Sequence, residues 1–372
     1  MKKAAATIFA ILLTFSISAS AKETLYSSFQ IDEAHRNILV SIIGQDPSAK
    51  ELFATIKKKA DGALKTSPNP IPLIRSEGLL NSDPKKKATS ESLKDMDKIR
   101  ALGIAWVVLK DAKYLDKSRD FLLAWAAVNK SAGDPIDDTN LENAIRTYDF
   151  IKNDCTDDEK AKIDAWLSQA ADEEIRIRKK YPKRTSATNN WNSHRLKVAG
   201  LIGLVTGNSD YIAFTKEGYK NQIEDDLRAD GSSFDFEERD AMHYHLYSIE
   251  PLLSLASAFS QRNIDLYTYV SPSGASLPKS CEFILPYVKG EKTHKEYVNS
   301  KVKFDRDRAA AGQKNFAAGR EFEPKEALLA LNLWYYFNPG VLPLVQEFTG
   351  KKGKYPTWEI LLYSVQKTKS GK

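Results

Sequence analysis

Apolar residues recur at helical spacing along almost the whole chain. The pattern predicts helices beginning near Asp32, Pro47, Ser90, Leu115, Asn140, Thr156, Thr188, Ser209, Asp240, Pro278, Pro324 and Thr357. Several starts carry their own chemistry. Thr156-Asp157-Asp158-Glu159 reads as a capping box, and Pro324 suits a first helical turn, where its missing N–H costs nothing. Gly207-Asn208 stops one helix before Ser209-Asp210 opens the next. The connections are short and no Pro/Ser-rich linker divides the chain, so residues 22–372 are expected to form one all-α domain. So many helices exceed a simple bundle. No clean repeat supports a regular solenoid, and antiparallel helix pairs in an α/α toroid, an incomplete barrel, are the expected fold.

Two segments break the period. Ser67 to Thr89 contains four prolines and is expected to be a long loop, the kind that serves as a lid or binding loop. Tyr297 to Arg320 is dense in Lys and Arg. Within it, Phe304-Asp305-Arg306-Asp307-Arg308 reads first as a salt-bridge knot, with Arg306 the residue that would reach a substrate.

Composition narrows the class. Met1–Ala21 has a basic start (Lys2, Lys3), an apolar run and a small-residue end, which is the form of a cleavable signal peptide. A periplasmic or secreted protein is therefore expected. The run is too short for a comfortable membrane span, and no membrane partner is expected. Loss of Lys2 and Lys3 takes the net charge from +6 to about +4 (6 − 2), too mild for a nucleic-acid protein. Positive residues gather locally at Lys85-Lys86-Lys87 and between Arg176 and Arg184, as solvated helix faces or as contacts for an anionic polymer. Cys155 and Cys281 could pair after export, but their spacing alone does not decide it.

The chemistry concentrates in two stretches. In Asn189-Asn190-Trp191-Asn192-Ser193-His194-Arg195, Asn190 and His194 lie four apart and share a helix face. An amide and an imidazole so placed can hold a carboxylate, or they can simply cap and fill a helix start. The second stretch runs from Asp230 through Arg239 to His243-Tyr244-His245-Leu246-Tyr247. On one continuous helix Arg239, His243 and Tyr247 drift by only about 80° over eight positions, whereas Tyr244 turns away from Arg239. His243 and His245 point about 200° apart on a helix and cannot share a metal, so none is expected.

A glycoside hydrolase needs two facing carboxylates, and no pair stands out. β-Elimination from a uronic-acid polymer needs a neutralised carboxylate, a base for the C5 proton and an acid for the departing O4. Asn, His and Arg meet the first need and Tyr the others. A phenol of pKa about 10 is only about 0.1% ionised at pH 7, so the neighbouring Arg and His are expected to lower that pKa.

With these strings in view, the sequence resembles the alginate lyase family of α/α-toroid polysaccharide lyases, including related glucuronan and polyuronate lyases. Asp134-Pro135-Ile136-Asp137-Asp138-Thr139-Asn140-Leu141-Glu142, Tyr148-Asp149 and the lid-like Glu77-Gly78…Ser82-Asp83-Pro84 extend the likeness over roughly Ile71 to Phe337. The resemblance implies that Asn190, His194 and Arg239 neutralise the uronate carboxylate and that Tyr247 acts as base, acid or both. Trp191, Lys86, Tyr244, His245 and Arg306 are the expected substrate-binding residues. The implied protein is a monomeric lyase acting on an anionic polysaccharide without a cofactor. The alternative is a protein of the same fold that binds a polyuronate without cleaving it.

Overall fold

The computed structural model describes residues 26–368; the expected signal peptide lies outside them. In chain order the α-helices are α1 (Glu33–Gln45), α2 (Pro47–Ala63), α3 (Pro84–Ser92), α4 (Lys94–Leu109), α5 (Ala112–Val128), α6 (Pro135–Asp138), α7 (Glu142–Ile151), α8 (Asp157–Lys180) and α9 (Asn190–Thr206). There follow α10 (Ser209–Asp226), α11 (Phe234–Arg239), α12 (Met242–Ser260), α13 (Leu277–Phe283), α14 (Leu285–Val288), α15 (Lys303–Ala310), α16 (Leu328–Trp334), α17 (Leu342–Thr349) and α18 (Trp358–Thr368). Among the described residues only isolated β-bridges occur, with no strand.

Caps fix many boundaries. Thr156 and Glu159 form the expected capping box at α8, whose three acidic first-turn residues and basic last turn suit the helix dipole. Gly207 closes α9 in the left-handed conformation (φ 77°), and the Asn208 side chain caps α10. Four expectations are corrected. Asp83 caps a helix at Pro84, so the Ser67–Thr89 loop ends earlier, and α4 begins at Lys94 rather than near Ser90. Lys303–Ala310 is helical inside the segment expected to be irregular. No helix runs on from Arg239 or Asp240, because Asp240 is left-handed (φ 47°) and separates α11 from α12.

The helices pack as two layers. Helices α4, α7, α9, α12 and α16 follow one another around the inside, and α18 and α1 close the ring back to α4. Helices α2, α5, α8 and α10 back the inner ones. This is the expected α/α toroid. Inner helices are surrounded on all sides, which explains why α9 has no polar stripe: every residue from Asn192 to Val205 is buried. Its charged members are paired, Arg195 with Glu174 at 3.0 Å and Lys197 with Glu142 at 2.5 Å. Both cysteines are buried free thiols. No described helix is long and apolar enough to cross a membrane.

Close approach of α9 to its neighbours depends on Gly200. A Cβ there would sit 2.5 Å from Leu255 Cδ1 on α12 and 2.8 Å from Thr215 Cγ2 on α10. Gly200→Ala is therefore expected to destabilise the fold by about 1–3 kcal/mol despite its better helix propensity. A denaturant titration reads this directly, and an unchanged midpoint would refute the tight contact.

Candidate active site

The first motif opens an inner helix. The Asn189 side chain caps α9, and Asn190 donates its backbone N–H to Asp235 Oδ2 at 2.6 Å and its Nδ2 to Asp235 Oδ1 at 2.5 Å. One turn on, His194 Nδ1 lies 2.9 Å from Thr139 Oγ1, and its ring centroid is 4.3 Å from that of Tyr247. Burial, aided by the Lys197 charge, holds the His194 pKa well below the usual range, so the ring is neutral. Pro251 on α12 lacks the N–H that would otherwise engage the Tyr247 carbonyl. That carbonyl instead favours a proton on His194, although the buried Nε2 makes no hydrogen bond of good geometry.

The break at Asp240 changes the second motif. Arg239 ends α11, so the single-helix alignment of Arg239 with Tyr247 is not what forms. Its guanidinium carbon instead lies 3.9 Å from the Tyr244 ring centroid, and Nη1 donates to Asp305 at 2.9 Å. Arg308 Nη1 donates to the Tyr244 hydroxyl at 2.9 Å. Tyr244 is therefore the phenol flanked by two guanidinium groups, and Tyr247 is the phenol beside histidine. His243 does share the Tyr247 face: the two rings stack at 6.1 Å with planes 11° apart.

A distant segment holds this break in place. The Glu296 carboxylate accepts from the Met242 and His243 N–H groups at 2.7 and 3.1 Å, capping α12 from outside. Tyr297 N donates to the Asp240 carbonyl, and Asn299 donates twice to the Asp240 carboxylate.

The loop before α3 reaches the same place. Asp137 accepts from the Ser76 N–H, the Ser76 hydroxyl and the Glu77 N–H. Glu77 then lies 3.8 Å from Arg308 Nη2. Lys86 donates to the Leu79 carbonyl, and burial together with Arg308 lowers its pKa. The expected lid thus reaches Arg308, one of the two arginines that flank Tyr244.

Two expected contacts are corrected. Arg306 is exposed and donates to the Ser300 carbonyl; Arg308, two residues on, is the arginine that turns inward. His245 is fully buried against the Ser233 hydroxyl and the Ser280 carbonyl, so it is a structural residue. Trp191 is half-buried in the first turn of α9 itself. The salt-bridge reading of residues 304–308 is right for Asp305, which binds Arg239 and lies 4.0 Å from Arg308.

The phenol electrostatics also differ from expectation. Burial, then Glu77 and Tyr244, push the Tyr247 pKa above its usual value rather than below it. Burial raises Tyr244 as well, against the opposing pull of Arg239 and Arg308. Burial brings His243 down to about 4. The site therefore holds two proton-bearing phenols beside two neutral imidazoles.

A model of the alginate lyase family matches residues 45–294, two thirds of the chain. The chain belongs to the alginate lyase family. Alginate lyases are polysaccharide lyases, and this one is an enzyme of that class. Solved alginate lyases share its architecture. One from Bacteroides ovatus superposes with a TM-score of 0.68 at 17% identity, covering 91% of this chain and 99% of that one. Alginate lyase A1-III from Sphingomonas species A1 gives 0.57 at 18%, covering 82% and 87%. A histidine-to-alanine variant of A1-III, complexed with a tetrasaccharide, gives 0.58 at 19%, covering 83% and 86%. A search of curated sequences found no match.

With its pKa near 4, His243 should stay neutral through pH 5.5 and gain its proton only close to pH 4. An NMR titration of the imidazole signals checks this. A midpoint near the unperturbed value of about 6.5 would mean that the ring is solvated.

Proposed function

We propose that this alginate lyase family member cleaves a uronic-acid polymer, alginate or glucuronan, by β-elimination between α9 and α12. The observation that carries the reading is the contact of neutral His194 with Tyr247, beside a cluster of three cations: Arg239, Arg308 and Lys86. A polyuronate brings one carboxylate per sugar, and this corner has positive charge to meet it. The tetrasaccharide complexes of A1-III, one with a histidine and one with a tyrosine substituted, support a sugar polymer and these two residue types. A purely binding role is not favoured.

The chemistry divides as follows. Asn190, Arg239 and Arg308 neutralise the uronate carboxylate, which makes the C5 proton acidic. That proton leaves to a base, the C4=C5 double bond forms, the C4–O4 bond breaks and O4 takes up a proton. Tyr247 begins protonated, since burial raises its pKa, and so is ready to supply the proton to O4. The neutral imidazoles of His194 and His243 on either side of it carry the unprotonated nitrogens that would take the C5 proton, as bases weakened by burial. Exchange among these groups lets one phenol serve both steps. No metal enters the scheme, because the cations named already stabilise the developing charge; EDTA should leave turnover unchanged. The reading also places the mature chain outside the cytoplasm, on the strength of residues 1–21.

Incubation with alginate and with glucuronan should produce the ultraviolet absorbance of unsaturated uronates in at least one case. Reducing ends without it would indicate a hydrolase. Tyr247→Phe keeps the ring and removes the atom that carries the proton, so it should cut kcat by about 10²–10⁴-fold with binding little changed. Tyr244→Phe should instead weaken substrate binding, because Arg308 loses the hydroxyl that holds its guanidinium in place. The reverse pattern would move the proton transfer to Tyr244.

A further inference from the structure

Helices α9 and α12 meet α11 at one buried carboxylate. Asp235, fully shielded from solvent, binds the Asn190 backbone N–H and Nδ2 through different oxygens, at 2.6 and 2.5 Å. It also accepts from the Ser248 hydroxyl at 3.0 Å. Ser248 directly follows Tyr247 on α12, and Asn190 begins α9. The same carboxylate therefore touches both helices that carry the proposed reacting groups.

A two-point contact determines which way an amide faces. Were the Asn190 side chain flipped, its oxygen would oppose a carboxylate oxygen, so only one orientation is tolerated. The remaining Nδ2 hydrogen and Oδ1 are then held in one direction. An anion this deeply buried needs compensation. The Asp226 carboxyl adjoins it, and Asp226 accepts from Gln222 Nε2 at 3.2 Å. Gln222 in turn donates to the Asn189 carbonyl and the Ser193 hydroxyl, each at 3.0 Å, so the same network grips the start of α9. Burial and its neighbour keep Asp226 well above the usual carboxylate range, whereas Asp235 rises only to about 6. Asp226 thus retains the proton, and Asp235 is free to accept three hydrogen bonds.

We propose that Asp235 is a positioning residue for the elimination: it sets the Asn190 amide that meets the uronate carboxylate and, through Ser248, keeps that amide in register with Tyr247. This rests on the role given to Asn190 above. Asp235 itself touches no substrate, so its effect must pass through Asn190.

A double-mutant cycle with alginate or glucuronan as substrate, whichever is cleaved, tests this. Asp235→Asn preserves volume but turns an acceptor oxygen into an NH2 facing one of the Asn190 donors. The expected loss in kcat/KM is about 10–100-fold, the range for removing a group that orients a site residue. In an Asn190→Ala background the same substitution should cost less than about threefold, because the pathway is already cut. Thermal midpoints of all variants separate this from a general loss of fold. Equal losses in both backgrounds would make Asp235 merely structural and overturn the inference. An impaired Asn190→Ala with an intact Asp235→Asn overturns it alone, whereas a fully active Asn190→Ala overturns the role of Asn190 and this inference together. If Asp235→Asn does not fold, Ser248→Ala removes one donor to the same carboxylate. It should cost up to about tenfold, one hydrogen bond's worth, and lose that effect without Asn190.

Discussion

The site depends on two inner helices that present polar groups toward each other from within an apolar ring. Helix α9 is buried along nearly all its length, so every polar side chain on it must find a partner or be driven neutral. Both outcomes occur. Arg195 and Lys197 are paired, Asn190 is bound at two points by Asp235, and His194 is neutral against Thr139 and Tyr247. The same burial that costs folding energy leaves the His194 imidazole unprotonated at ordinary pH, and makes it a weaker base than a solvated ring.

Charge is arranged from the other side by segments that are not inner helices. Arg308 from α15 and Lys86 from α3 converge with Arg239, and Glu77 from the preceding loop lies against Arg308. Glu77 supplies one carboxylate to a cluster suited to receive another. The Glu77 charge also contributes to raising the Tyr247 pKa. A uronate that takes the place of Glu77 at Arg308 would thus alter the electrostatics at the phenol as it binds. In the proposed reaction, one ion pair would then link substrate recognition to proton transfer.

The fold was legible because caps and apolar spacing are local signals. Thr156-Asp157-Asp158-Glu159, Gly207-Asn208 and Pro47 mark real boundaries to within a residue. The site was legible in part. Asn190, His194 and Tyr247 fall where their motifs suggest, but the wheel from Arg239, which turned Tyr244 away from it, failed because a left-handed Asp240 interrupts the helix and the guanidinium lies over the Tyr244 ring instead. Nothing local marks that break, since it is held by Glu296, Tyr297 and Asn299 from more than fifty residues away. Arg308 rather than Arg306 turns inward because α15 is a helix, where residues two apart face different ways. Thr139 and Asp235 sat inside strings already noted, yet their roles are set by tertiary partners. His245 was drawn into the site by proximity in sequence, but its ring nitrogens are satisfied by Ser233 and Ser280.

The central claim is that one polar corner between α9 and α12 both holds the uronate carboxylate and exchanges its protons. A crystal structure of Tyr247→Phe with a bound uronate oligosaccharide tests it most directly, since the substitution should leave the substrate intact. The account predicts a sugar carboxylate beside Asn190, Arg239 and Arg308, with C5 and O4 of the scissile linkage facing the vacated hydroxyl position at about 3 Å, the reach needed for proton transfer. An oligosaccharide seated elsewhere in the ring, or one whose linkage points at Tyr244, would contradict it.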